Sequence, residues 1–233
     1  AHKYESLRNE QKRIFEEVVR EEGQVVLGWR EVPVDGTKVG KEAAAIRPWM
    51  IQILIGKGPD VTNNKEFERK LYIIRKLAEK RIIPLSKELS SDFYIASLSS
   101  KTIVYKGMFL VGQLRLFYND LQDKDYESAI ALVHSRFSTN TVPSWEKAHP
   151  YRYIVHNGEI NTIRGNADKM LAREENMESD YLKDEMIKLT PVVDPNGSDS
   201  ARLDNTLEFL LMSGMPLPLA MMITIPEPWE NNE

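Results

Sequence analysis

The sequence predicts an α+β fold in which short apolar strands and amphipathic helices form layers. The clearest helix covers residues 66–81, where apolar side chains recur at helical spacing. Residues 25–34 and 48–55 are short apolar runs bounded by glycines, which is typical of strands. The helical stripe consists of Phe67, Leu71, Ile74 and Leu77. Because pairs of strands are interspersed with pairs of helices along the chain, we expect a layered α+β domain.

The remaining elements follow from the same two periodicities. Residues 5–21 carry apolar positions at helical spacing among charges, which predicts a first helix. The later predictions are a hairpin at 93–98 and 102–105, a short helix within 108–117, strands at 129–136 and 151–156, and helices at 161–175 and 200–212. The segment between the last two strands holds Pro143, Ser144 and Trp145 and is predicted to be a loop.

Composition limits the classes of function that this chain can have. Its 233 residues carry a net charge of −4, which argues against a nucleic-acid surface, and no apolar run reaches the roughly 18 residues that span a bilayer. With no cysteine, the chain itself has no disulfides, thiolate metal sites or iron–sulfur ligands, and four histidines without ligand spacing predict no metal. We expect a cytoplasmic protein with one domain over residues 1–233, truncated at both ends.

Arg136 is the first candidate for a binding residue, because it follows a predicted strand. A guanidinium group presents a planar, bidentate fork that suits a carboxylate. The alternative is an arginine at a strand end that is solvated or forms a structural ion pair. Spacing alone does not decide between these two roles.

Asn157 and Gly158 follow the next predicted strand. An asparagine amide and a glycine backbone N–H can together donate to a developing oxyanion, and glycine has no Cβ to block a close approach. Asn-Gly is also a very common tight-turn dipeptide, so a plain turn is the alternative.

Asp199 stands just ahead of a predicted helix, where an acidic residue is explained by an N-cap or first-turn position. Its functional interpretation is a partner for an ammonium group. His134 and His156 precede the two motifs and are interpreted as structural residues that orient loops, with a general base as the alternative. Trp145, together with the neighbouring aromatic side chains of the loop, forms either a lid or a packed aromatic loop.

The longer strings of residues around these candidates resemble a known family. They are Phe-Ser-Thr-Asn-Thr-Val-Pro-Ser-Trp at 137–145, His-Asn-Gly-Glu-Ile-Asn-Thr-Ile-Arg-Gly-Asn at 156–166, Ser-Asp-Ser-Ala-Arg-Leu-Asp-Asn at 198–205 and Ile-Pro-Glu-Pro-Trp-Glu-Asn-Asn at 225–232. Together they resemble the class II glutamine amidotransferases, and most closely the amidotransferase domain of the glutamate synthase large subunit. The resemblance implies the four-layer α-β-β-α sandwich of N-terminal nucleophile hydrolases, incomplete at its N-terminus.

The resemblance also implies a role for each candidate residue. Arg136 would hold the α-carboxylate of glutamine, Asp199 its α-ammonium, and Asn157 with Gly158 would form the oxyanion hole. Phe137 and Ser138 belong to the same substrate-binding motif. The nucleophile of that family is an N-terminal cysteine, whereas this chain begins with Ala1 and contains no cysteine.

By this resemblance the domain hydrolyses L-glutamine to glutamate and ammonia, and the ammonia is channelled to 2-oxoglutarate for reductive glutamate synthesis. FMN, an iron–sulfur cluster and electrons from NADPH, NADH or ferredoxin would belong to the remaining glutamate synthase domains or to an electron-donating subunit. No cofactor is expected on this chain, and no nucleic-acid or membrane partner. The alternatives are a non-catalytic glutamine-binding or regulatory module, an interaction domain that has lost its ligand, and an amidotransferase with another acceptor.

Overall fold

The structure of the protein, a computed structural model, describes residues 5–88, 93–137, 141–156, 160 and 162–225. Its regular elements are α1 (Glu5–Glu21), β1 (Val25–Glu31), α2 (Lys41–Ala45), β2 (Ile51–Gly56), α3 (Asn64–Glu88), α4 (Gln113–Phe117), α5 (Ile163–Arg173), α6 (Met186–Leu189), α7 (Asp199–Met212) and α8 (Leu217–Thr224), with short 3₁₀ helices at Gly36–Lys38, Asn119–Gln122, Glu174–Asn176 and Lys183–Glu185. This mixture of helix and sheet confirms the α+β class.

The two strands form an antiparallel pair, with Trp29 opposite Ile53. The register shifts between Val26 and Gly28, and Gly28 has a φ of 152°, a conformation that side chains other than glycine rarely adopt. One face of this hairpin packs on α1, where the Trp29 and Phe15 rings meet edge to face at 5.9 Å. The two strands predicted at the start of the chain are therefore confirmed.

Helix α3 lies at the centre of the fold because two of its faces are buried. One face packs against α1 and the hairpin, in a cluster of Phe15, Val18, Val19, Ile74, Ala78 and Ile82. The other face packs against the C-terminal half of the chain, in a cluster that contains Tyr72, Ile73, Leu182, Leu189, Val192, Val193 and Phe209. The helix begins where the Asn63 side chain accepts hydrogen bonds from the N–H groups of Lys65 and Glu66, each at 3.0 Å. Burial of both faces makes α3 the element that joins the two halves.

A third cluster brings α7 together with the segment at 151–154. It contains Tyr151, Ile154, Ile163, Leu203, Leu207 and Ala220. Leu203 and Leu207 lie one turn apart on α7, as the predicted apolar stripe requires. The helix predicted at 200–212 is thus confirmed within one residue, and it holds the segment that leads towards Asn157.

The strands predicted at 129–136 and 151–156 were wrong, because both segments are irregular in the structure. Within the described part of the chain, no neighbouring strand pairs with the first segment, whose Ile130 and Val133 side chains are exposed. In the second segment, Tyr151 N–H donates to Ile154 O at 3.1 Å and forms a turn instead of a sheet ladder.

The hairpin predicted between residues 93 and 105 was also wrong. The segment is a loop anchored by Glu68 of α3, whose carboxylate accepts hydrogen bonds from the Ser99 hydroxyl at 2.7 Å and the Ser100 N–H at 2.7 Å. Val104 N–H donates to the Ser97 hydroxyl at 3.1 Å. Because side-chain oxygens accept the backbone hydrogen bonds that a neighbouring strand would otherwise accept, the segment remains a loop.

Truncation of Ile74 should show how strongly the protein depends on the core between α1 and α3. Ile74 is fully buried, and Ile74→Ala should lower the free energy of unfolding by about 2–5 kcal/mol because a cavity remains. Ile187, which is 79% exposed, is the matched control. Ile187→Ala should change the free energy of unfolding by less than about 0.5 kcal/mol. Urea unfolding of both variants measures the difference, and equal effects would contradict this account of the core.

Candidate functional site

A continuous set of contacts joins the segment that carries Arg136 to the start of α7. The Arg136 N–H donates to His134 Nδ1 at 3.1 Å. The His134 ring stacks on His149 with centroids 4.5 Å apart, and His149 meets the Tyr151 ring edge-on at 5.0 Å. The Tyr151 hydroxyl lies 2.6 Å from Ser198 Oγ. These contacts link two motifs that the sequence separates by more than fifty positions.

The start of α7 presents the Asp199 carboxylate without using it as a cap. Ser198 is the N-cap residue, and its hydroxyl accepts a hydrogen bond from Ala201 N–H at 3.3 Å. Asp199 is the first helical residue and is half-buried, so its first-turn interpretation holds. Among the residues that the structure describes, no hydrogen bond or ion pair involves its carboxylate. The charge therefore remains available for a ligand.

Arg136 is similarly uncommitted. Its side chain is exposed, and within the described residues its guanidinium forms no ion pair, which rules out the structural ion pair considered above for that part of the chain. Phe137 beside it is half-buried. Ser138, Asn157 and Gly158 lie outside the described residues, so the predicted oxyanion hole stays a prediction.

Trp145 belongs to a packed aromatic loop and not to a lid. It is 3% exposed, and its Nε1–H donates to Ala43 O at 3.0 Å. Its ring lies 5.4 Å from Phe109 and 5.6 Å from Phe117. A Cβ on Gly107 would lie 2.4 Å from the Trp145 ring, so glycine is required there for this close approach.

His149 is buried in the contact path between Arg136 and α7. It is 6% exposed, and neither ring nitrogen has a hydrogen-bond partner in the described part of the protein. Burial is the main cause that lowers the pKa of His149 to about 4, and the nearby His134 is the second cause. His149 is therefore neutral at physiological pH and acts as an aromatic spacer. The backbone contact of His134 agrees with the structural, loop-orienting role predicted for it.

A network of buried charges, which the sequence did not reveal, lies directly behind this path. Arg75 of α3 pairs with Glu79 at 2.7 Å and with Glu208 of α7. Arg152 approaches Glu79 at 3.8 Å and Glu208 at 3.7 Å. Burial raises the pKa of Glu79, but Arg75 and Arg152 outweigh that effect and hold it below its usual range. The sequence signal for this network was the spacing of Arg75 and Glu79, which places the two residues one helical turn apart on the same face of α3.

Asp204 completes this network and contacts the backbone of the second motif segment. Its side chain is fully buried; one oxygen accepts a hydrogen bond from Arg152 Nη1 at 3.2 Å, and the other accepts one from Tyr153 N–H at 2.7 Å. An ion pair and a backbone hydrogen bond thus hold consecutive residues of one segment against α7.

A cleft of about 540 Å³ adjoins the path, and Tyr151 and Ser198 contribute to its lining. Arg136 and Asp199 do not line it. The buried Lys106 does, with its Nζ donating to Glu146 O at 2.5 Å. Burial, assisted by Arg152, lowers the pKa of Lys106 to about 8. Among the described residues, the cleft therefore adjoins the contact path at Tyr151 and Ser198 without including Arg136 or Asp199.

Two kinds of feature are absent from the described residues. None of the helices there is long and apolar enough to cross a membrane. No group of three or more histidine, aspartate or glutamate side chains is placed there to hold a metal ion.

The family model for glutamine amidotransferases class-II matches residues 1–233, which is the whole chain. The chain belongs to this family. The resemblance predicted from the motif strings is thus confirmed, and the path from Arg136 to Asp199 lies within a class II amidotransferase domain.

The individual relatives of this amidotransferase domain are glutamate synthases. The chain is 50% identical to the glutamate synthase (NADPH) large chain of Bacillus subtilis over 96% of its own length, and 43% identical to the glutamate synthase (NADH) of Saccharomyces cerevisiae over 94%. It is 42% identical to ferredoxin-dependent glutamate synthase 1 of Arabidopsis thaliana over 96%. The matched regions span 15%, 10% and 14% of those proteins.

Acidification should destabilise the domain through His149. Its pKa in the folded state, about 4, lies below the ordinary value of 6.5, so the unfolded chain binds a proton first as the pH falls from 6.5 towards 4. Between pH 7 and pH 5 the loss should be about 2 kcal/mol. Urea unfolding at both pH values measures it, and in His149→Phe, which keeps an aromatic ring but cannot titrate, the pH-dependent loss should be smaller by that amount. The same loss in both proteins would rule out His149 as its source.

Proposed function

We propose that this class II amidotransferase domain binds L-glutamine and, as part of a glutamate synthase, hydrolyses it to glutamate and ammonia. The observation that carries the proposal is the set of contacts between the Arg136 segment and the start of α7. Through His134, His149 and Tyr151 these contacts connect the Arg136 backbone to Ser198, the residue before Asp199. Among the described residues neither the Arg136 guanidinium nor the Asp199 carboxylate has an ion-pair partner. A free amino acid is a zwitterion, and these two charges complement its two ends.

In this proposal Arg136 binds the α-carboxylate and Asp199 the α-ammonium group of glutamine. Asn157 and Gly158 donate hydrogen bonds to the oxyanion that forms on the amide carbon. Phe137 and Ser138 contribute to the same pocket. These roles come from the family resemblance, and the exposed Arg136 and half-buried Asp199 are consistent with them.

The reaction requires a cysteine thiolate from outside this chain, which contains none. The thiolate attacks the amide carbon, the C–N bond breaks, and the nitrogen leaves as ammonia after it takes up a proton. Water then attacks the thioester, which releases glutamate and restores the thiol. The class II enzymes use the α-amino group of the cysteine as base, so neither His134 nor His156 is needed for proton transfer.

The fate of the ammonia is proposed from the relatives. In a glutamate synthase it is channelled to 2-oxoglutarate, and reduction of the resulting imine gives a second glutamate. The names of the relatives specify NADPH, NADH or ferredoxin. FMN and an iron–sulfur cluster are assigned to other domains, since this chain has no thiolate ligands for a cluster.

We further propose that residues 1–233 form a single domain with the four-layer α-β-β-α arrangement of N-terminal nucleophile hydrolases. Family membership over the full length supports this. A cytoplasmic location and the other glutamate synthase domains as partners, with an electron-donating subunit, are part of the same proposal. The second candidate function is a non-catalytic glutamine-binding or regulatory module of the same fold.

Calorimetric titration of the 233-residue chain with L-glutamine tests the binding proposal. Arg136→Ala and Asp199→Asn should each weaken binding by about ten- to a hundredfold, because each removes a charge-assisted hydrogen bond to the ligand. Asp199→Asn leaves the helix cap intact, since Ser198 provides it. Arg115→Ala and Asp168→Asn, at exposed positions, are the charge-matched controls and should bind as the wild type does. Wild-type affinity in both site variants would refute these assignments.

The isolated chain should release no ammonia from glutamine above background. Without a thiolate the covalent route is absent, and only the small rate from binding and electrostatics remains. A coupled assay for ammonia with pure protein measures this, and a free-cysteine control excludes chemistry from added thiols. Steady turnover that Arg136→Ala abolishes would mean that this domain uses a different nucleophile.

A further inference from the structure

We propose that Asp204 is a positioning residue for glutamine recognition, an inference that rests on the proposed function. Asp204 lies on α7, the helix that begins at Asp199. Its carboxylate holds Arg152 and Tyr153, which precede the motif containing Asn157 and Gly158. One buried side chain thus connects the residue proposed to bind the ammonium group to the segment proposed to bind the amide.

The backbone of this segment depends on Asp204 because no sheet holds it. Residues 151–156 are irregular, so their N–H groups have no ladder partners among the described residues. Tyr151 N–H closes a turn with Ile154 O, and Tyr153 N–H donates to Asp204 Oδ1 at 2.7 Å. Asp204 therefore accepts the backbone hydrogen bond that a neighbouring strand would accept in a sheet.

The second oxygen of Asp204 fixes the same segment through Arg152. Arg152 Nη1 donates to Asp204 Oδ2 at 3.2 Å, while Glu79 of α3 and Glu208 of α7 approach the guanidinium at 3.8 and 3.7 Å. These carboxylates come from two helices that the apolar core holds together. Arg152 is consequently held from several sides, which limits its movement relative to both helices.

A purely apolar contact could have stabilised the fold at least as well. Replacing a buried ion pair by hydrophobic residues is often neutral or stabilising, because burial of charge carries a desolvation penalty. A carboxylate, however, can accept two hydrogen bonds in fixed directions. Asp204 uses both oxygens on consecutive residues, which specifies their position and not merely their burial.

The Tyr151 hydroxyl, 2.6 Å from Ser198 Oγ, adds a second link between the same two elements. It connects the beginning of the segment to the N-cap of α7, whereas Asp204 connects the following residues to the interior of that helix. Two separate links prevent the segment from pivoting about either one. In this proposal the two links hold the start of the segment that leads to Asn157 in place relative to Asp199 before glutamine binds.

Glutamine titration and backbone hydrogen exchange of three variants test this role. Asp204→Leu removes both acceptors, and it should weaken glutamine binding by about tenfold or more and accelerate exchange at Tyr153. Asp204→Asn retains an acceptor for Tyr153 N–H, and Glu79 and Glu208 still neutralise Arg152, so its affinity should stay within about threefold of wild type. Ile74→Ala is the control for stability alone, because Ile74 packs in the cluster between α3 and α1 and takes no part in the contacts of Asp204; its glutamine affinity should be unchanged.

Several outcomes would overturn the inference. A folded Asp204→Leu protein with wild-type affinity would do so, and so would equal weakening in the leucine and asparagine variants. If Asp204→Leu does not fold, Asp204→Ser takes its place, since the shorter hydroxyl cannot reach Tyr153. If the wild type binds no glutamine, the proposed function fails for this chain, and exchange decides the inference separately. Exchange at residues 153–156 that is faster in the leucine variant than in Ile74→Ala supports positioning, and unchanged exchange refutes it.

Discussion

The pairing of buried charges between α3 and α7 is the constraint on which the site depends. Arg75 is 2% exposed at its side chain, and it reaches the interior only because Glu79 and Glu208 neutralise it. Removing an ion from water costs several kcal/mol, and that cost is offset only when geometry and hydrogen bonding are complete. The helices must therefore meet in one register. That register determines where Arg152 and Tyr153 are held.

The apolar core explains how this register is maintained. Helix α3 buries one face against α1 and the other against the C-terminal half, so it cannot rotate without exposing apolar surface on one side. The charged positions Arg75 and Glu79 lie between these faces and point to α7 and Arg152. Apolar packing thus sets the orientation of α3, and the charges on α3 pair specifically with Glu208 of α7 and with Arg152. Neither kind of interaction alone would place the 151–156 segment.

Local sequence patterns predicted the first half of the fold, because the backbone hydrogen bonds of its helices and its hairpin are made between residues close in sequence. Helices α1 and α3 and the β1–β2 hairpin follow from periodicity and glycine positions. The errors fall where a distant side chain takes the place of a strand. Tyr153 N–H donates to Asp204, and Ser100 N–H donates to Glu68. The sequence of neither segment predicts these distant acceptors. An apolar run predicts burial, but its backbone conformation depends on whether a neighbouring strand or a distant side chain forms hydrogen bonds with its N–H and C=O groups.

The candidate site shows the same division. Motif strings were sufficient to identify the family and made Arg136 and Asp199 candidates, yet they gave no sign of the buried charges nearby. Arg136 and Asp199 remain without ion-pair partners in the described residues, while the charges behind the 151–156 segment are paired with one another. This arrangement has a physical logic. A charge that is already paired would have to be released before it could bind a ligand, whereas a charge that positions others must not move. The proposed binding residues are therefore distinguished by an unpaired charge, and the supporting residues by ion pairs away from water.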